Sequence, residues 1–462
     1  MHRLTLACVL FGVTVLTTAA GCSSSGPTGS ASPQRAEPGG TAAATYADWP
    51  TYHNDIYRGG YASTMPAAKG TPTVVTKLAL DGAVYASPII VHGVTILATE
   101  NNTVYAFSPS YTLLWKRHLG PPSPAAQRPC GNIDLLGITG TPVYVASTGL
   151  VFVAPEFTGN PPTHRLYAIS ATTGAVSFSH SLDLPGADQR VMQQRAALTA
   201  VRGRIYVPFG GLLGDCGNYK GRVIGYRWTG KGSAVSYTVP TAREAGIWAP
   251  PGPVADRAGH ILVAVGNGAS GVGDAYDHSD SVLELSPTMT LTDSFSPSTW
   301  PTDNDADQDL GSQGPALIGR FVFIAGKSGT AYVLNRDRLG GIGGQVSKAN
   351  LCRSSFGGVA AVGYIAYVPC TDGLRAITIT SSGTIQRRWH ASSSISGSPV
   401  VGGGRVWSLD TGAGVLHALD PTTGNTRASV SVGAVTRFAT PAIYGRDMAI
   451  PTTSGATIVR TS

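Results

Sequence analysis

The chain has 462 residues, of which only 13% are charged, and a formal net charge of +7. Its charged fraction lies well below the ~25% of ordinary domains, which excludes a coiled coil, and 59 Gly with 31 Pro stay under the ~25–30% that marks low-complexity chains. The 33 basic residues are scattered, with Arg387-Arg388 the only adjacent arginine pair, so no stripe for a phosphate backbone forms and nucleic acid is excluded as a partner. Abundant turn formers among 42% apolar residues read as an all-β protein long enough to bury a large core.

Residues 1–21 open with Arg3, continue through an apolar run from Leu4 to Leu16 and end on small side chains, the layout of a signal peptide. Thr18-Ala19-Ala20-Gly21-Cys22 resembles the lipobox of bacterial lipoproteins. By that resemblance Cys22 becomes the acylated first residue, and two acyl chains on it would anchor the protein stably to a membrane. Residues 22–45 consist almost entirely of Ser, Gly, Pro, Thr and Ala, too few large apolar groups to fold, and read as a flexible tether. The expected location is therefore extracytoplasmic and lipid-anchored.

From residue 46 onward one landmark recurs eight times: Thr103-Val-Tyr-Ala-Phe107, Arg165-Leu-Tyr-Ala-Ile169, Arg222-Val-Ile-Gly-Tyr226, Ser281-Val-Leu-Glu-Leu285, Thr330-Ala-Tyr-Val-Leu334, Gly373-Leu-Arg-Ala-Ile377, Val415-Leu-His-Ala-Leu419 and Ala456-Thr-Ile-Val-Arg460. In six of the eight copies an X-Pro pair precedes it, at Pro88, Pro142, Pro253, Pro315, Pro399 and Pro441. Both features share a period of about 50 residues, the signature of a β-propeller built from four-stranded blades. After its last landmark the chain stops at Ser462, so the eighth repeat lacks an outermost strand. Thr73 to Leu80 looks like the outer strands Leu113–Leu119 and Thr426–Val432. The expectation is an eight-bladed β-propeller of four-stranded antiparallel blades over 46–462, closed by an N-terminal strand that completes the last blade and removes the open edges.

Ala418-Leu-Asp-Pro-Thr-Thr-Gly424 and Ala168-Ile-Ser-Ala-Thr-Thr-Gly174, with Trp115 and Trp389 at the closing position of other copies, resemble the pyrroloquinoline-quinone (PQQ)-type propeller repeat. Asp48-Trp-Pro-Thr-Tyr-His-Asn-Asp55 followed by Arg58 is similar to the start of such domains. That family holds quinoprotein dehydrogenases and non-catalytic lipoproteins resembling the outer-membrane assembly propeller, so the repeat implies the fold and leaves the activity open. Within the resemblance, Asn267 in Gly266-Asn267-Gly268 and, more loosely, Asp215 stand where the dehydrogenases ligate calcium. Lys327 stands where a basic residue faces the quinone, and Asp303, Asp305, Asp307 and Asp309 occupy the stretch of the catalytic Asp, with Asp307 and Asp309 the candidates. Asp307 also joins Asp215 and Asn267 as a candidate metal ligand.

Loops between second and third strands and loops between blades leave a propeller on one face, so these residues would share one rim. A hard cation there would take oxygen ligands and polarise a quinone carbonyl while a carboxylate accepted the alcohol proton. Against this stand the absence of an adjacent Cys-Cys pair, the absence of a haem-attaching Cys-x-x-Cys-His, and the short chain. Asn267 between glycines also reads as a turn residue and Lys327 as a solvated loop charge. The acidic run carries Gln308 and Gly314 where an EF-hand loop needs Gly and Glu. Trp248 and Trp300, in long loops, are candidates to stack on a sugar or to pack between blades.

With Cys8 in the leader and Cys22 lipidated, Cys130, Cys216, Cys352 and Cys370 remain, which allows three pairings. Cys352 enters repeat six and Cys370 lies in its second-to-third-strand loop, while Cys130 enters repeat two and Cys216 lies in neighbouring repeat three. The expected disulfides are Cys352–Cys370 and Cys130–Cys216, oxidised outside the cytoplasm. The leading functional expectation is a monomeric binding or scaffold propeller for an envelope protein or polymer, with no cofactor. Its alternative is a PQQ- and calcium-dependent dehydrogenase acting on an alcohol or sugar, and a third reading has calcium merely ordering the 303–309 loop.

Overall fold

Strands of two to eight residues recur because the chain alternates short apolar runs with Gly-rich turns, and the inner strands of each blade are buried between neighbours. The computed structural model describes residues 46–462; the leader, Cys22 and the tether lie outside them. Eight sheets succeed one another along the chain. In blade 1 the strands are Ile89–Val91, Val94–Ala98, Thr103–Phe107 and Leu113–His118, paired antiparallel in that order. The inner three are buried, whereas Leu113–His118 is mostly exposed.

All eight landmarks overlap third strands. Thr103–Phe107 is buried at every position because both faces of a blade pack on neighbouring blades, which removes the polar alternation of a one-sided sheet. The repeat's Trp and Gly clip one blade to the next. Trp115, on the outer strand of blade 1, donates its indole N–H to Ala171 O of blade 2 at 3.0 Å, and Trp389 of blade 6 donates to Pro421 O of blade 7 at 2.9 Å. The rings lie over Gly174 and Gly424, whose φ values of +68° and +75° suit glycine and where a Cβ would stand 2.6 and 2.5 Å from the indole.

Thr73–Ala79 pairs antiparallel with Gly455–Arg460, from Thr73 opposite Arg460 to Ala79 opposite Gly455, and supplies the outer strand of blade 8. The ring is closed as expected from the sequence. Four of the eight sheets depart from the expected four strands by gaining a fifth short one. Glu156–Phe157 and Met192–Gln193 add antiparallel pairs where blade loops extend the hairpins, while Tyr61–Ala62 and Gly341–Ile342 add parallel ones from connecting segments.

The segment before the closing strand threads the axis. Trp49 pairs with Ile90 of blade 1, and the carbonyls of Pro50, Ile56, Gly59 and Gly60 accept N–H groups from Tyr144, Ala255, Ala361 and Val401 of blades 2, 4, 6 and 7 at 2.7–2.8 Å. Buried His53 shares hydrogen bonds with Val359 O and Thr440 Oγ1. Arg58 donates to Thr51 Oγ1, Leu198 O and Thr199 Oγ1 at 2.7, 3.0 and 2.6 Å. Tyr52, from the same segment, reaches the cavity on the far face, so the axis is stopped and the mouth becomes a cup. Among the described residues no helix is long and apolar enough to cross a membrane.

Candidate functional site

The cup is a cavity of about 490 Å³ whose walls include Asp215, Asp309 and Lys327. Loops from blades 3 and 5 and the connection between blades 4 and 5 bring them together. Asp309 is 1% exposed. Its Oδ1 accepts the Asn267 N–H at 2.6 Å, its other oxygen pairs with the Lys327 ammonium, and its carbonyl accepts the Lys327 N–H at 2.9 Å. Burial pushes the Asp309 carboxyl above its ordinary range, opposed by Lys327 and the Asn267 amide. Lys327 is pulled down by burial but raised overall, first by Asp309 and then by Asp307.

Asp215 accepts the Tyr219 hydroxyl at 2.5 Å. Burial raises that phenol, and the Asp215 carboxylate raises it further. Asn267 adjoins Asp309, and its side-chain Oδ1 is buried without a hydrogen-bond donor, an oxygen that a cation or a ligand N–H would satisfy. Asp307 differs: its side chain is 68% exposed, it is held by Lys327 at 2.6 Å, and it does not line the cavity. The acidic run does not gather. Trp300–Asp305 form a short helix, Asp303 accepts the Thr299 hydroxyl and Asp305 faces the Val272 amide. Among the described residues, the acidic run supplies no member of any trio of His, Cys, Asp or Glu whose ligand atoms lie within 4.8 Å of one another.

Sequence reasoning missed the cationic and aromatic wall. Arg195 lies 5.0 Å over the Phe438 ring, and Arg437 lies 4.0 Å from the Phe356 centroid and 5.6 Å from that of Phe438. Burial lowers Arg195 to about 10, with nearby Arg437 adding to the drop and Asp309 opposing it. Arg195 also donates to Trp248 O at 3.1 Å, fixing the loop that places Trp248 in the wall. The Arg-Phe pair 437–438, shortly before the blade 8 proline turn, was the available signal. Trp300 is buried against Tyr276 and is a packing residue.

Both expected disulfides are present, Cys130–Cys216 and Cys352–Cys370. The first ties the loop carrying Asn132 and Ile133 to the loop carrying Leu212, Leu213 and Asp215, all cavity residues. Its sequence separation of 86 corresponds to a chain-entropy contribution of about 4–5 kcal/mol. The double variant Cys130→Ser/Cys216→Ser is expected to lose that amount in urea unfolding, against about 3 kcal/mol for the bridge of separation 18. Equal losses would show that the longer loop is already ordered without its bridge.

Beside the cup, between blades 1 and 2, lies a buried charge network. Burial opposes protonation of His164, but hydrogen bonds to Asp183 and Glu156, at 3.1 and 3.2 Å, overcome it and raise the imidazole to about 9. Burial raises Glu100 to about 8 against the Gly137 N–H and Thr139 hydroxyl that bond it. Both folded-state values lie above the ordinary 6.5 and 4.5, so the native state holds extra protons. Their stabilisation is complete below the unfolded values and is lost as pH rises through about 8 and then about 9. Melting temperature is expected to fall as pH rises from about 4.5 to about 9, and Glu100→Gln to flatten the part of the fall below about pH 8.

These features define an eight-bladed β-propeller with a charged, aromatic-walled cup at one mouth. Neither a protein-family model nor a curated protein matches the sequence. Among solved structures, the quinohemoprotein alcohol dehydrogenase of Comamonas testosteroni is similar at 14% identity and a TM-score of 0.69, over 90% of this chain and 81% of that one. The quinohemoprotein alcohol dehydrogenase ADHIIG of Pseudomonas putida HK5 is similar at 14% identity and 0.70, over 89% and 80%. BamB of Moraxella catarrhalis is similar at 16% identity and 0.59, over 85% of this chain and all of that one. At these identities the likeness establishes the fold.

Proposed function

We propose that the protein is an extracytoplasmic propeller, anchored through acylated Cys22 and held off the membrane by residues 22–45, that binds an envelope protein or polymer at its mouth. The observation that carries this reading is the lip of the cup. Leu213 is 60% exposed there, and Phe356, Arg437 and Phe438 line the same cavity, the aromatic and arginine types that anchor interfaces. The cavity of about 490 Å³ has room for one inserted side chain or sugar ring. Two disulfides at the mouth suit an oxidising compartment, and the fold is shared with BamB. A photo-crosslinking residue at Leu213 in intact cells should give a discrete adduct that Phe438→Ala abolishes. No adduct, together with PQQ-dependent dye reduction by the purified protein, would reject this reading.

One observation favours a second reading, a PQQ- and calcium-dependent dehydrogenase: Asp215, Asp309 and Lys327 converge on the cup, with Asn267 adjoining and its amide oxygen unpartnered. A bound quinone would supply the electron sink for alcohol oxidation. Lys327, Arg195 and Arg437 would hold its carboxylates, Asp215 and Asn267 would offer oxygens to calcium, and Asp309 would accept the substrate hydroxyl proton. Absorbance titration with PQQ and calcium decides it, since saturable binding lost in Lys327→Ala is required.

A further inference from the structure

Blade 4 departs from the repeat twice, and both departures meet on the face opposite the cup. At the fourth position of the third-strand landmark, seven blades carry a buried Ala, Gly or Val, from Ala106 in blade 1 to Val459 in blade 8. Blade 4 carries half-buried Glu284, opposite Leu262 of its second strand. The hairpin joining the first two strands is two residues long in six blades, as at His92-Gly93, but runs over five residues, Asp256 to His260, in blade 4. The insertion supplies Asp256 and His260, and the third strand supplies Glu284.

The three side chains are preset. Asp256 Oδ1 accepts the N–H groups of Gly259 and His260 at 2.7 and 2.9 Å, which fixes its carboxylate with Oδ2 3.3 Å from His260 Nδ1. Nδ1 lies 3.8 Å from Glu284 Oε1, and the three ligand atoms lie within 4.8 Å of one another. Metal bonds of ~2.0–2.2 Å in tetrahedral geometry place neighbouring ligand atoms about 3.4 Å apart. The trio therefore needs little movement to close on one ion.

We propose that Asp256, His260 and Glu284 form a binding site for a divalent cation of the zinc class. One imidazole with two carboxylates favours such a borderline ion over calcium. Three protein ligands leave a coordination position open. It faces a groove of about 540 Å³ whose other wall carries Arg320, Arg336 and Asp337 of blade 5, so water or a small anion completes the shell. Bound metal clips the long hairpin to the third strand. Without metal, the Asp256 and Glu284 carboxylates lie 3.3 and 3.8 Å from the imidazole Nδ1.

The test is calorimetric titration of the purified, chelator-stripped protein with Zn²⁺, followed by zinc-edge X-ray absorption. One equivalent should bind with a nitrogen and oxygen shell at ~2.0–2.1 Å. Glu284→Ala restores the residue type of the other blades, so it should fold normally while affinity falls at least ~100-fold. His260→Gln should do the same. No stoichiometric binding, wild-type affinity in either folded variant, or sulfur in the metal shell would overturn the site and leave the trio as neighbouring polar side chains alone.

Discussion

Arg58→Ala is expected to lower the free energy of unfolding by about 3–5 kcal/mol, more than loss of one ordinary buried contact. Arg58 is 1% exposed and sits in the segment that stops the propeller axis. Burial lowers its guanidinium to about 10, and Asp55 and Tyr52 pull in the other direction. Its fork is spent on acceptors from two chain regions, Thr51 Oγ1 within the plug and Leu198 O and Thr199 Oγ1 of blade 3. Truncation strands those acceptors away from water and opens a cavity beneath Tyr52. Arg58→Lys should recover less than half of the loss, because an ammonium cannot span both sets of acceptors as the planar fork does. Urea unfolding measures both variants, and a loss under about 1 kcal/mol for Arg58→Ala would show that the plug contributes little to the closed ring.

The plug also marks where sequence legibility ends. The third strands could be read because each of the eight sits between two blades and meets the same demand for small and β-branched side chains. The closing strand could be read because one repeat lacked its outer member. Trp49 to Ala62 has no second copy to compare with, and its contacts are mostly backbone hydrogen bonds to six or more blades, which leave no pattern in side-chain types. Its likeness to a domain start showed that something begins there and gave no hint that it threads the axis. The two-residue fifth strands were illegible for a related reason, since so short a segment carries no periodicity. At the mouth, the acidic run from Asp303 to Asp309 narrowed to Asp307 and Asp309, and nothing on paper separated those two. Burial separates them: Asp309 is sealed against Asn267 and Lys327, while Asp307 stays in solvent. Arg195 and the Phe356–Arg437–Phe438 stack belong to three different blade connections, and no spacing rule joins such residues before the ring is closed.

Lys327→Ala is expected to destabilise the protein by about 3 kcal/mol near neutral pH, although Lys327 itself is partly exposed. The cost falls on its partner. Asp309 is sealed from water, and with the ammonium gone its carboxylate keeps one hydrogen bond, from the Asn267 N–H at 2.6 Å, and the charge of Arg195. Burial already raises the Asp309 carboxyl with Lys327 present, so removal of Lys327 raises it further. A folded-state value above the unfolded one means the protonated carboxyl is favoured in the native state. The variant therefore keeps its stability in acid and loses it as pH rises through the folded-state value. The deficit relative to wild type should shrink toward pH ~5 and be greatest at neutral and alkaline pH. Asp309→Asn in the Lys327→Ala background removes the stranded charge and should recover most of the loss. The double-mutant cycle then gives a coupling of about 2–3 kcal/mol between the two side chains. A deficit independent of pH, or a double variant no more stable than Lys327→Ala, would mean that Asp309 is neutral in the folded protein. It would then be unable to accept a proton from any bound substrate.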